Sequence, residues 1–251
     1  MPIPETLVAC LERAHPSWRP VLAAGLERMD PAYLAALAAD TYLPTEGRLF
    51  AAFTLPLGEV RYVLVGEGPY PREQSATGVC FMDGAVDQLW CDTGLSKPVN
   101  RATSLRNFMK MLLVAAGELS ADATNGDAMA PVVRAARDGS YIATLNQLQD
   151  KLTRNGFLLL NASLVFRPHV APAVDARAWL PFLQTVLQAL AAQAVPPKLV
   201  LWGKIAEQLK KLPESERFEH ISSEHPYNLS FIRNREMQAL FGPMELLSAK
   251  S

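Results

Sequence analysis

Three short apolar runs, two closed by a glycine and one carrying an asparagine at its middle, set the architecture of this chain: RYVLVG at 61–66, GFLLLNASLVF at 156–166 and KLVLWG at 198–203. None alternates polar with apolar residues. Each therefore reads as a strand covered on both faces, the condition of a parallel sheet. A fourth run, RFEHISSEHP at 217–226, is shorter and more polar and fits an edge strand. Helical patterns lie between the runs. DPAYLAALAADTYL opens with Asp30 as N-cap and Pro31 as first helical residue, and TSLRNFMKMLLVAAGEL with Thr103 or Ser104 as cap. DARAWLPFLQTVLQALAAQ is amphipathic with Asp175 as cap, and KIAEQLKKL follows the third run directly. This alternation predicts the α/β class: a single domain over 1–251 with a central, mostly parallel four-stranded sheet flanked by helices. Ligands then sit at the carboxyl ends of the strands. Residues 1–17 read as an N-terminal extension and 120–141, small and polar, as a surface excursion.

The bulk properties narrow the classes further. The opening MPIPETLVACLERAHPSW lacks the basic-then-apolar order of a signal peptide. The longest apolar stretch, near 183–195, is broken by Gln184, Gln188 and Gln193, so no membrane span is expected. Three cysteines without CxxC spacing argue against a disulfide scaffold or a zinc site. The expectation is a reduced, cytoplasmic monomer with no membrane partner, cofactor or metal. A net charge of −1 gives no global pull toward nucleic acid and does not exclude a local one.

GEGPYP at 66–71 says little alone. It is not a GxGxxG fingerprint, Pro69 stands where a helix would open, and no GK[ST] follows, so it reads as a strand-to-loop turn. Its company is more informative. GEGPYP, TGVCF, TSLRN, LLLN, LWGK and HPYNLS follow one another in an order that resembles the family 1 uracil-DNA glycosylases, whose patterns run GQDPYH, HGLCF, PSLxN, LLLN, LWG and HPSPLS. The resemblance runs from about Trp18 to the C-terminus and includes RLFAAF before the first strand and WLPF after LLLN.

That resemblance implies a base-excision repair enzyme that flips uracil out of DNA and hydrolyses its glycosidic bond. It implies that Phe81 stacks on the flipped base and that Asn161 reads the base edge through its amide. Tyr70 would fill the space of a thymine methyl, with Gly66 and Gly68 also on the substrate side. His225 would donate to the departing base, where charge grows as the bond breaks. Leu229 would be the apolar wedge, and Ser104, Lys204, Arg233 and Arg235 would meet DNA phosphates. His15, His169 and His220 match nothing catalytic and read as structural.

The chain also departs from the pattern. Where the family motif carries its water-positioning aspartate, this chain has Gly68, and the motif's final histidine is Pro71. Tyr227 and Asn228 replace a serine and a proline of HPSPLS, and NRAT replaces the prolines before the PSLxN-like helix. Glu67 and Asp83 are the carboxylates near enough in sequence to substitute, Glu67 the stronger. Two further readings stand beside the glycosylase: a catalytically silent relative that binds uracil, DNA or a protein, and a glycosylase for another deaminated base.

Overall fold

The structure, a computed structural model, describes residues 2–250. Its strands are β1 (Tyr62–Gly66), β2 (Trp90–Cys91), β3 (Gly94–Leu95), β4 (Phe157–Asn161), β5 (Lys198–Trp202) and β6 (His220–Ser223). The main sheet has the order β4-β1-β5-β6, while β2 and β3 form a small antiparallel hairpin. β1 is parallel to both neighbours: Val63 stands opposite Leu158 on one side and Leu199 on the other. Pairing at the edge steps the same way. Leu199 N donates to Glu219 O at 2.9 Å and Gly203 N to Ser223 O at 3.0 Å, so β6 is parallel as well. Two of the apolar runs, β1 and β5, are thus the inner strands of the sheet; the third, β4, is one edge and the polar run, β6, the other. All five residues of β4 are buried. The register ends by setting Gly66 beside Asn161.

The helices follow the sequence less closely at their starts. Asp30 caps Pro31–Ala38 as expected, accepting from Ala32 N at 2.8 Å. The helix Thr103–Ala115, however, has Ala102 at its N-cap position and no side-chain cap, so neither Thr103 nor Ser104 serves. Ser96 caps the short preceding helix Lys97–Arg101 instead. The long helix Pro172–Ala191 opens at Pro172, whose fixed φ suits a first turn, and Asp175 lies inside that turn, not before it. Residues 120–141 contain a 3₁₀ turn, Gly126–Met129, and a helix, Ala130–Arg137, that bury Met129, Val132 and Val133. Near the N-terminus, the helix Glu5–Cys10 puts Leu7 and Cys10 into a core cluster.

The chain forms two compact units. The first comprises the residues up to Gly84, Gly156–Leu201 and Ile205–His220. Its core is aromatic: Phe50 stacks on Phe182 at 5.8 Å, and Trp18 meets Phe53 edge-on at 5.0 Å. Asp175, 2 % exposed, does not cap a helix because it holds Arg167. The Arg167 guanidinium donates to Asp175 Oδ1 at 2.6 Å and to Asp40 Oδ2 at 3.0 Å, while Tyr33 donates to Asp175 Oδ1 at 2.8 Å.

The second unit comprises Ala85–Asn155, Trp202–Lys204 and the residues from Ile221 onward. Phe108 meets Phe241 at 5.0 Å and Trp202 meets Phe231 at 5.4 Å, with the Trp202 indole N–H donating to Met237 Sδ at 3.2 Å. Among the described residues no helix is long and apolar enough to cross a membrane.

Candidate active site

In the first unit, candidate residues converge where β1 and β4 end. Gly66 is there because nothing larger fits. A Cβ at this position would lie 2.5 Å from Cys80 Sγ and 3.1 Å from Asn161 Oδ1. Asn161 is 4 % exposed, and its carboxamide has no hydrogen-bond partner among the described residues. The carboxamide is not among the fully buried side-chain atoms left unpaired, so it keeps access to solvent and stands free to meet a ligand.

The segment from 75 to 84 folds back over this end. Cys80 N donates to Leu159 O at 3.1 Å, Thr77 Oγ1 to Met82 O at 2.9 Å and Gly84 N to Ser75 O at 3.2 Å. Between these ties Phe81 is held at φ +69°, in the left-handed region. For a bulky residue that conformation costs about 1–2 kcal/mol. Such strain clusters where a side chain must be aimed. The half-buried ring is therefore fixed by its neighbours and not by its own preference.

Below it, burial pushes the Cys80 thiol up to about 12, so it stays protonated. Burial likewise raises the phenol of Tyr70, with Cys80 and Asp83 nearby adding to the rise.

The two carboxylates differ. Asp83 is buried and pairs with Arg72 at 3.8 Å. Glu67 is exposed; its main-chain oxygen accepts from Ser163 N at 3.1 Å, and its carboxylate has no partner among the described residues. Gly68 is exposed and open: a Cβ there would meet only Ser163 O at 3.5 Å and Ser163 Cβ at 3.8 Å, ordinary contacts. Sterics do not demand glycine at 68. Glu67, Gly68, Pro69, Ser163 and Arg167 line an open cavity of about 410 Å³.

The second unit holds the other candidates. His225 follows β6, and Tyr227 N donates to its Nδ1 at 3.1 Å. The neutral ring therefore carries its proton on Nε2. Gly203, at φ +65°, leaves room for it: a Cβ there would fall 2.8 Å from His225 Cβ. Glu224 accepts from Asn234 Nδ2 at 2.8 Å. Burial pushes its carboxyl up, but hydrogen bonds from Ser230 and Asn234 outweigh this and hold it below its ordinary value. Leu229 is 69 % exposed. Ser104 is the second residue of its helix, and Lys204 and Arg235 are exposed at the first positions of theirs. Arg233 holds Asp122 at 2.6 Å in an exposed pair, so it is less available than its position in the sequence implied.

The remaining histidines each have local partners: His15 with Ser17, His169 with Asp40 and His220 with Ser215. Sequence reasoning passed over Cys80 and Asn107. Both sit inside quoted motifs, TGVCF and TSLRN, yet only the fold shows Cys80 against Gly66 and Asn107 bonded to the carbonyls after His225. Among the described residues, no three His, Cys, Asp or Glu side chains are grouped to hold a metal ion.

Fold and site together define an α/β protein that presents buried polar and aromatic groups at its parallel strand ends. No protein-family model matches the chain. It is 29% identical over 223 residues to a uracil-DNA glycosylase of Corynebacterium efficiens, covering 87% of this chain and 79% of the relative. To a uracil-DNA glycosylase of Mycobacterium tuberculosis it is 28% identical over 196 residues, 78% of this chain and 71% of the relative. Among solved structures, the wild-type UNG of Nitratifractor salsuginis aligns with a TM-score of 0.90 at 39% identity, covering 99% of this chain and 98% of that one. The mimivirus uracil-DNA glycosylase shares the fold, with a TM-score of 0.53 at 18% identity over 89% of this chain and 73% of that one. The chain belongs to the uracil-DNA glycosylase family.

Proposed function

We propose that this protein removes uracil from DNA by hydrolysis, with Glu67 in the work that the family motif gives to an aspartate. The observation that carries the reading is the Asn161 carboxamide at the end of β4, on a residue 4 % exposed yet not itself among the fully buried unpaired atoms, and so open to a ligand. A uracil edge presents one donor and one acceptor, and a carboxamide returns both. Phe81 supplies the stacking face, and Tyr70 narrows the space against a methyl group.

In the reaction the bond between the sugar C1′ and the base N1 breaks, and its electron pair leaves with the base. His225, with its proton on Nε2, is assigned to donate toward the base carbonyl as that charge develops. Water adds at C1′, and its proton passes to a carboxylate. Glu67 is preferred because its carboxylate is uncommitted, whereas that of Asp83 is already paired with Arg72. Leu229, Ser104, Lys204 and Arg235 are assigned to the DNA strand.

The test is uracil release from a single-stranded oligonucleotide, leaving an abasic site. Glu67→Gln should slow release about a hundred- to a thousandfold, the worth of roughly 3–4 kcal/mol in the transition state, while Asp83→Asn should do less. No release even at high enzyme excess would refute hydrolysis and leave a silent binding protein.

A further inference from the structure

Of the large apolar side chains standing exposed among the described residues, Tyr227 is the one aromatic, at 68 %, and Leu229 follows two positions later at 69 %. Exposed apolar pairs on a floppy loop mean little, but this loop is fixed. Asn107, fully buried on the helix Thr103–Ala115, donates through Nδ2 to Pro226 O at 2.8 Å and reaches Tyr227 O at 3.3 Å and Asn228 O at 3.4 Å. From the other side, Tyr227 N donates to His225 Nδ1 at 3.1 Å, and Asn228 N to His225 O at 2.9 Å. Leu229 then opens the 3₁₀ turn Leu229–Arg233, which buries Phe231 and Ile232. Every backbone group around Tyr227 is thus committed, while its ring meets no other ring and its hydroxyl no partner among the described residues. A rigid aromatic face held out to solvent loses little entropy on being covered.

We propose that Tyr227 is a stacking platform for a nucleobase adjacent to the one being removed, working beside Leu229 as a two-point grip on the strand. The inference rests on the reading of this chain as a DNA glycosylase. Side chains two residues apart spring from Cα atoms at most about 7 Å from each other. Two bases that flank an emptied position lie about as far apart, two steps of roughly 3.4 Å along the strand. One apolar group fills the gap, and its neighbour meets the next base face. Because every base has such a face, the contact is indifferent to sequence. It is also most accessible in single strands, where no complementary strand competes for the base. Tyr227 is accordingly a binding and positioning residue, not a catalytic one.

The probe is a uracil-free oligonucleotide carrying a stable abasic analogue beside 2-aminopurine, in single- and double-stranded form. The wild type and Tyr227→Phe should quench 2-aminopurine and bind the single strand equally. Tyr227→Ala should fail to quench and bind between about fivefold and a hundredfold more weakly, the worth of one base–aromatic stack. On a uracil substrate the loss should fall on KM and not on kcat. Equal binding and quenching by Tyr227→Ala would overturn the proposal, as would a loss in Tyr227→Phe as large as in Tyr227→Ala. Uracil release with identical affinities in all three proteins sinks this inference alone. No uracil release, with affinity still lost in Tyr227→Ala, sinks the enzymatic reading and leaves the platform standing.

Discussion

A methyl group added at Gly66 tests how tightly the end of β1 is built. The Cβ of Gly66→Ala would stand 2.5 Å from Cys80 Sγ. Carbon and sulfur need about 3.5–4.0 Å, so something must move by roughly 1 Å in a packed interior. Overpacking of this kind costs about 1–3 kcal/mol. For a chain of this size each kcal/mol lowers Tm by about 2–4 °C.

The clash has a specific remedy. Residue 80 keeps only its Cβ in Cys80→Ala, and that atom lies 3.8 Å from the added methyl, an ordinary contact. The double variant Gly66→Ala/Cys80→Ala should therefore melt where Cys80→Ala alone melts, giving a coupling energy equal to that cost, about 1–3 kcal/mol, in a double-mutant cycle. Activity should recover less than stability. Asn161 Oδ1 still sits 3.1 Å from the methyl, so the carboxamide must shift by a few tenths of an ångström. Thermal melts and uracil release on the four proteins decide the matter. If Gly66→Ala costs the same with and without the Cys80 sulfur, the packing account is wrong.

Other outcomes follow from the same geometry. Gly68→Asp should fold as the wild type does, because its Cβ meets only ordinary contacts, and should release uracil faster; an unchanged rate would show that a carboxylate at 68 is not what limits turnover. At position 81 the usual order of alanine over glycine should invert: Phe81→Gly should be about 1 kcal/mol more stable than Phe81→Ala, since only glycine takes φ +69° without strain, and denaturant melts measure the difference. Thiol titration should find Cys91 reactive first, because a hydrogen bond from Thr93 lowers its pKa and it is exposed, with Cys80 inert until unfolding. The Cys80 pKa is raised on folding, so its contribution to stability is complete below about pH 9 and is lost as pH climbs toward 12; an alkaline melt that Cys80→Ala leaves unaltered would contradict this.

The sheet was legible because double-sided burial leaves a plain mark: RYVLVG, FLLLN and KLVLW need no alternation and show none. The motifs then located the strand ends. Helix starts were less legible. Asp175 looks like a cap from its neighbours in sequence, yet Pro172 begins the helix and Arg167, eight residues earlier in the chain, claims the carboxylate. Local chemistry cannot register a partner supplied by a loop. The helix Ala130–Arg137 was hidden because two valines suffice to bury its one face, within a segment otherwise small and polar. Around the site, the types of Phe81, Asn161 and His225 were readable. The left-handed backbone of Phe81, the sulfur against Gly66 and the tautomer of His225 were not, because each is imposed by contacts remote in sequence.

The cluster of Arg167, Asp175 and Asp40 bears on how sequences of this fold can drift. Removing Asp175 leaves the Arg167 guanidinium, 8 % exposed, with Asp40 as its remaining carboxylate, whereas exchanging the whole set for well-packed apolar side chains is often neutral. These positions are therefore locked together by their history: single steps lead downhill, and only a concerted change reaches another viable solution. Relatives should carry either all three charges or none.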